Sequence, residues 1–260
     1  MISSTSVPDV VDELARDPLP QIVLLKHLWA YPEHVRAHRV VDGASAATLV
    51  LLEARVSPYD RETYPKAAVA AFISSDHPAL TALLLSHVPC GVGIVFKLSR
   101  DADLAPVRSQ FAVERRTAFV SFTSTGAVEP TPGVRITTEP DDATLHLFET
   151  QGHDPSLLRP LLRSGKAFAC VLERCGGTLS TCIAFEIFGR VWEVGGVVTA
   201  PSHRRRGLGA RVVRTALAEL AQRGLIPRYQ VEAHNTPSIG LAEAVGLSSF
   251  LTIVHYAHHC

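Results

Sequence analysis

The chain has 260 residues, 47% hydrophobic and 19% charged, which supplies a packed core and predicts one or two domains. Lys plus Arg and Asp plus Glu are 25 each, so no net charge draws the chain to nucleic acid or to an anionic membrane. Residues 1–17 lack the basic and apolar regions of a signal peptide, and the longest apolar runs fall far short of the ~20 residues of a membrane span; a cytoplasmic protein without membrane contact is expected.

Apolar residues at helical spacing in 8–28, interrupted by Pro18 and Pro20, predict two short helices. Residues 47–56 and 67–73 read as strands separated by a turn at Ser57-Pro58-Tyr59-Asp60. Asp76-His77-Pro78 opens a helix running to residue 87, because proline suits the first helical turn. Strands at 91–98 and 117–123 flank a helix at 101–111. Residues 123–133, rich in Ser, Thr and Gly with Pro130 and Pro132, form the expected boundary between domains at 1–125 and 134–260. Cys90, Cys170, Cys175, Cys182 and Cys260 are odd in number and do not match zinc-ligand spacing, so free thiols are expected. The terminal Tyr256-Ala257-His258-His259-Cys260 run lacks a second shell, and no metal is expected.

In the second half, residues 141–151 are helical in pattern. Strands at 167–173 and 178–188 flank Arg174-Cys175-Gly176-Gly177, a hairpin signal, and a third strand spans 191–199. A helix follows over 207–223 with Gly224 after it, then a strand at 229–233, a helix at 237–245 and a strand at 251–256. The order predicts a mixed α/β fold with a mostly antiparallel central sheet flanked by helices.

The chemistry concentrates in Val198-Thr199-Ala200-Pro201-Ser202-His203-Arg204-Arg205-Arg206-Gly207-Leu208-Gly209-Ala210. Glycines admit close backbone approach, and the following helix presents unpaired N–H groups and the positive end of its dipole. An anion site suited to phosphate is expected, with three arginines beside it; a glycine-containing turn on a basic surface is the alternative. A Walker loop would need Lys-Ser/Thr where Ala210-Arg211 stands, and a dinucleotide fingerprint would need Gly where Val212 stands. Arg211 and Arg214 lie on the solvent face of a helix whose buried stripe is Val212, Val213, Ala216, Leu217 and Leu220. No aromatic residues interleave with these cations, as single-strand binding requires.

Arg204-Arg205-Arg206-Gly207-Leu208-Gly209 resembles the signature of the GCN5-related N-acetyltransferase superfamily, Gln or Arg, two residues, Gly, one residue, Gly or Ala. Asn235-Thr236-Pro237-Ser238 followed by 241–247 is similar to the family's next strand-to-helix segment. The resemblance spans about 134–256. It implies acetyl-CoA as co-substrate, with amides from Arg205 to Ala210 on the pyrophosphate and Val197, Val198 and Thr199 along the pantetheine arm. Asn235 and Ser238 would contact the same arm. It implies transfer of an acetyl group to a primary amine by direct attack, by a monomer or a homodimer.

Gly195-Gly196 inside a strand implies either a bulge or close packing, and the family uses a bulge there to hold the thioester carbonyl. Glu193 occupies the place of the catalytic glutamate in histone-type members; its alternatives are a salt bridge or an exposed strand-edge residue. Burial would raise its pKa toward neutrality, as a base needs. Many members place a proton-donating Tyr where Ala242 stands; Tyr256 on the last strand is the candidate substitute, and a core or hydrogen-bonded tyrosine is its alternative. The unmarked first half faintly resembles a degenerate copy of the same fold, as in tandem members. A non-catalytic acyl-CoA-binding sensor or interaction module is the alternative reading.

Overall fold

A computed structural model describes residues 2–3, 6–124, 126, 128–174 and 177–259. It divides into two compact units, Met1–Val120 with Leu251–Cys260, and Ser121–Phe250. Cys175 and Gly176 of the expected hairpin turn, and Cys260, lie outside the described residues. Cys90, Cys170 and Cys182 are free thiols.

The first unit holds β1 (Ile2–Ser3), α1 (Val7–Leu14), α2 (Ile22–Ala30), β2 (Val35–Asp42), β3 (Ser45–Glu53), α3 (Pro58–Thr63), β4 (Val69–Ser75), α4 (Pro78–Leu84), β5 (Ile94–Leu98), α5 (Leu104–Gln110) and most of β6 (Val113–Thr123). β1 to β4 pair antiparallel in sequence order. β4 and β5 pair in parallel along the whole of β5. The run Thr48 to Leu52 of β3 is buried throughout, as a central strand covered on both faces requires. Its core joins Leu49, Ile73, Phe96 and Val107. The predicted turn at 57–60 is instead the start of α3. Ser57 Oγ accepts from the Asp60 N–H and Pro58 fills the first helical position, two start signals in succession.

The second unit holds β7 (Val134–Thr137), α6 (Asp142–Glu149), α7 (Pro155–Arg163), β8 (Ala167–Arg174), β9 (Gly177–Phe188), β10 (Val191–Thr199), α8 (Leu208–Gln222), β11 (Ile226–Glu232) and α9 (Thr236–Ala244). Its strand order is β11-β10-β9-β8-β7, antiparallel except for the parallel pair β10–β11. The predicted stripe of α8, Val212, Val213, Ala216, Leu217 and Leu220, is buried.

The final strand, β12 (Ser248–His258), corrects the expected division at 134–260. Val254–His258 pairs antiparallel with β5, so residues from Leu251 onward partition with the first unit. Tyr256 is 5% exposed within that unit's core cluster, as the other core side chains are. That is the core position given above as the alternative to a proton donor. No helix is long and apolar enough to cross a membrane among the described residues.

Candidate functional site

The site begins with a strand that loses its neighbour. β10 pairs with β11 only at Val191↔Ile226, Trp192↔Pro227 and Glu193↔Arg228, then the two strands part. On the other side β10 follows β9 until Gly195, where the register shifts and resumes at Val198↔Thr181. Gly196 takes φ +58 inside this irregularity, a left-handed conformation that glycine adopts without cost. The glycine pair is therefore a bulge. It is also closely packed: a Cβ on Gly196 would lie 3.2 Å from His153 Nε2, 3.2 Å from Ile183 Cγ2 and 3.3 Å from Phe148 Cε1.

Beyond the bulge, Ser180 Oγ donates to the Val198 carbonyl at 3.0 Å and shares a 2.8 Å hydrogen bond with Thr199 Oγ1, fixing the end of β10 to β9. On the β11 side, Val197 to Thr199 have no strand partner among the described residues. The loop into α8 then coils back. Arg205 has φ +60 and Gly207 φ +72, two left-handed residues that gather successive amides on the inside of a turn. Gly207 caps α8 with no side-chain hydrogen bond, so the amides opening this 15-residue helix stay available. The first turn of α8 holds no acidic residue. Arg204 Nε donates to the Thr199 carbonyl at 3.2 Å, and its guanidinium stays exposed.

A cavity of about 690 Å³ occupies the space where β10 and β11 diverge. Val197, Val198 and Thr199 form one wall; Arg204, Arg205, Gly207, Leu208, Gly209 and Ala210 form its loop end; Asn235 and Ser238 face it from the start of α9. Every residue expected to contact the cofactor is thus brought to one cavity except Arg206, which does not line it. A Cβ on Gly209 would meet Val197 Cγ1 at 3.5 Å and Leu241 Cδ2 at 3.7 Å, ordinary contact distances, so this position borders both walls.

Sequence reasoning missed Tyr229 and Gln151, which also line the cavity. Tyr229 stands on β11, 4% exposed, its hydroxyl 2.6 Å from Ser238 Oγ. Burial pushes its pKa above the ordinary value, against the lowering effect of the Ser238 hydrogen bond. Gln151 lies in the loop after α6, and no local pattern marks it. Asn235 Oδ1 accepts from the Ser238 N–H at 3.2 Å, capping α9.

Glu193 makes the salt bridge given above as one of its alternatives. Arg228 Nη1 donates to its Oε2 at 2.6 Å, and Arg228 is 1% exposed. Glu193 does not line the cavity. The pair joins the last residues at which β10 and β11 are in register, directly below the point where they separate. Burial holds the Arg228 guanidinium below its ordinary pKa, with Glu193 pulling it back up. Arg211 and Arg214, the other cations of α8, donate to the Pro132 and Ala244 carbonyls at 2.7 and 2.8 Å. No cluster of three or more metal-ligating side chains occurs among the described residues.

A model of the acetyltransferase (GNAT) family matches residues 134–247. No curated protein matches the chain. Solved structures that resemble it include a GCN5-related N-acetyltransferase from Sphaerobacter thermophilus (TM-score 0.63, 14% identity, 99% of this chain and 94% of that one). An acetyltransferase of the GNAT family from Colwellia psychrerythraea aligns at TM-score 0.61 and 14% identity, over 99% of both chains. A tandem GNAT protein from the clavulanic acid biosynthesis pathway aligns at TM-score 0.51 and 14% identity, over 97% of this chain and 94% of its own. At these identities the likeness is one of fold, and it extends over both units.

Proposed function

We propose, from the premise that residues 134–247 are a domain of the acetyltransferase (GNAT) family, that this chain transfers the acetyl group of acetyl-CoA to a primary amine. The observation that carries the reading is the cavity between β10 and β11, closed at one end by the left-handed Arg205–Gly207 turn and the uncapped start of α8. Those amides and the exposed Arg204 and Arg205 suit a pyrophosphate. The unpaired edge of β10 from Val197 to Thr199 suits the amide-bearing pantetheine arm, which can pair with it as a strand would. The bulge at Gly196 leaves an amide of Val197 or Val198 free to stabilise charge on the thioester oxygen.

Among the residues assigned from the sequence, Glu193 fits a strut better than a base, because its partner Arg228 is buried and the pair sits at the vertex of the splay. Tyr229 provides the cavity with the hydroxyl that Ala242, itself buried, cannot. A tyrosine hydroxyl carries its proton at neutral pH, as a donor to the departing sulfur requires. The alternative, a non-catalytic acyl-CoA-binding module, draws on the small side chain at Ala242. Consumption of acetyl-CoA in the presence of a panel of primary amines separates the two.

A thermal melt tests the binding step. Acetyl-CoA at ~100 times its Kd should add about 2.7 kcal/mol of stability. Gly209→Asp, which places a carboxylate between the cavity walls and at the anion site, should abolish the shift. If millimolar acetyl-CoA left the wild-type melt unmoved, the CoA assignment would be lost.

A further inference from the structure

We propose that His153 is the catalytic base of the transfer, taking the ammonium proton of the incoming amine beside the β10 bulge. The inference rests on the acetyl-transfer reading above. His153 lies in the short loop between α6 and α7, where Gly152 turns the chain at φ +82 and the His153 N–H donates to the Phe148 carbonyl at 3.3 Å. Its ring stands edge-on to Phe148, centroids 6.0 Å apart at 83°. Its Nε2 is 3.2 Å from the position a Cβ would take on Gly196, which places the imidazole against the backbone that would face the thioester. His153 does not itself line the cavity, but Gln151, two residues earlier, does, so this loop borders the same space.

The ring has no structural employment. Among the described residues neither of its nitrogens has a hydrogen-bond partner, whereas a half-buried histidine retained for the fold usually has one. Its surroundings hold no competing charge: α6 presents Phe148, β9 presents Ile183 and β10 presents the backbone of Gly196. On its own loop Asp154 is engaged with the Ser156 N–H at 2.8 Å, and at the end of α6 Glu149 lies 3.2 Å from His146. Burial alone lowers the imidazole below its ordinary pKa of 6.5, so the ring is neutral at pH 7 and has a lone pair to offer. Glu193 has committed an oxygen to Arg228.

His153 Nε2 takes one proton from R–NH3+ and releases it to solvent. The freed amine adds through its lone pair to the thioester carbonyl carbon, a C–N bond forms, and the C–S bond breaks with its electron pair on sulfur. The sulfur takes one proton from Tyr229, which recovers it through water from the new amide nitrogen. The products are the amide, the free thiol and one proton in solution.

His153→Gln tests the assignment in the full chain with three readouts. The acetyl-CoA melt shift should be retained. Turnover of the best acceptor in a panel of primary amines should fall ~100-fold or more. The acid limb of the kcat profile, which in the wild type falls below pH 6.5, should disappear. Independently of activity, the imidazole NMR signal assigned by its loss in His153→Gln should titrate below pH 6.5 and move on adding acetyl-CoA. Turnover within threefold of wild type with an unchanged acid limb overturns the proposal. So does an NMR titration at or above pH 6.5 that ignores acetyl-CoA. If the wild type shows the melt shift but turns over no amine, the transfer reading fails and takes this proposal with it; if it shows no shift, the CoA site itself is at fault.

Discussion

Cutting the Glu193–Arg228 pair from each end should give unequal losses. Arg228 is 1% exposed, and its other polar contact is Nε to Ser121 Oγ at 3.2 Å. Glu193→Ala leaves that guanidinium buried without a counter-charge, a change that costs about 3–5 kcal/mol. Arg228→Met removes the buried charge and keeps much of the volume. It strands only Glu193, whose side chain is 15% exposed and can draw in water, so about 1–2 kcal/mol is expected. Glu193→Ala with Arg228→Met should then be more stable than Glu193→Ala alone, with a coupling energy of about 2 kcal/mol. Urea denaturation followed by Trp192 fluorescence reads the second unit directly, because Trp192 is buried next to Glu193 on β10; Trp29, in the first unit and 60% exposed, is first replaced by Phe. A Glu193→Ala cost below ~1 kcal/mol with additive effects would refute the strut argument. Turnover supplies the second arm. Glu193→Gln should stay within ~10-fold of wild type, and a ~100-fold loss at unchanged stability would restore Glu193 as the base.

Tyr229→Phe should lower turnover at pH 7 by at least ~10-fold while the acetyl-CoA melt shift persists; unchanged turnover would remove Tyr229 as proton donor. Gly196→Ala should cost about 2–4 kcal/mol, since φ +58 strains any Cβ and three side chains stand 3.2–3.3 Å away; a urea midpoint like that of wild type would contradict the bulge geometry. In the first unit, burial and then the charge of Lys97 push the His255 pKa down to about 2, and its Nδ1 is 2.8 Å from the Tyr64 hydroxyl. The unfolded imidazole titrates near ~6.5, so it gains a proton on acidification that the folded one refuses; stability is full above pH 6.5 and should fall by about 2 kcal/mol at pH 5. His255→Gln should flatten that slope between pH 7.5 and 5, and equal slopes in the two proteins would sink the assignment.

What the sequence made legible were features written in neighbouring residues. The loop-to-α8 segment has its glycines, arginines and apolar stripe within twenty residues, and all but Arg206 of the residues expected to contact the cofactor reach one cavity. β2 was missed because Arg36, His38 and Arg39 interrupt its apolar residues, although Val35, Ala37 and Val40 are buried. α7 was missed because Pro160 sits inside it, yet Asp154 caps it and Pro155 starts it. The partner of Glu193 was out of reach for another reason. A parallel register brings Arg228 opposite from beyond the whole of α8, and no local pattern encodes a register. The same holds for the last strand, whose apolar run predicts its conformation and leaves its neighbour open until pairing with β5 decides it. His153 had no signal beyond a histidine after a glycine.

The two units share a sheet plan, and the differences between them explain why a cavity between diverging strands forms in the second. Each has a parallel strand pair followed by a helix. In the second unit the pair β10–β11 stops after three residues, which opens the cavity, and the loop enters a 15-residue helix whose first amides no side chain caps. In the first unit β4–β5 stay paired from Val69↔Ile94 to Ile73↔Leu98, so no slot forms between them. The segment that follows β4 uses its own donors and acceptors: Asp76 Oδ2 accepts from the Ala46 N–H at 2.7 Å, and His77 Nδ1 accepts from the Ala79 N–H at 3.2 Å, capping α4. That helix is seven residues long, with a correspondingly weak dipole. An anion arriving there would meet amides already satisfied. A sheet of the same plan needs no deleted element to lack such a cavity. It is enough that two strands remain paired and one side chain caps one helix.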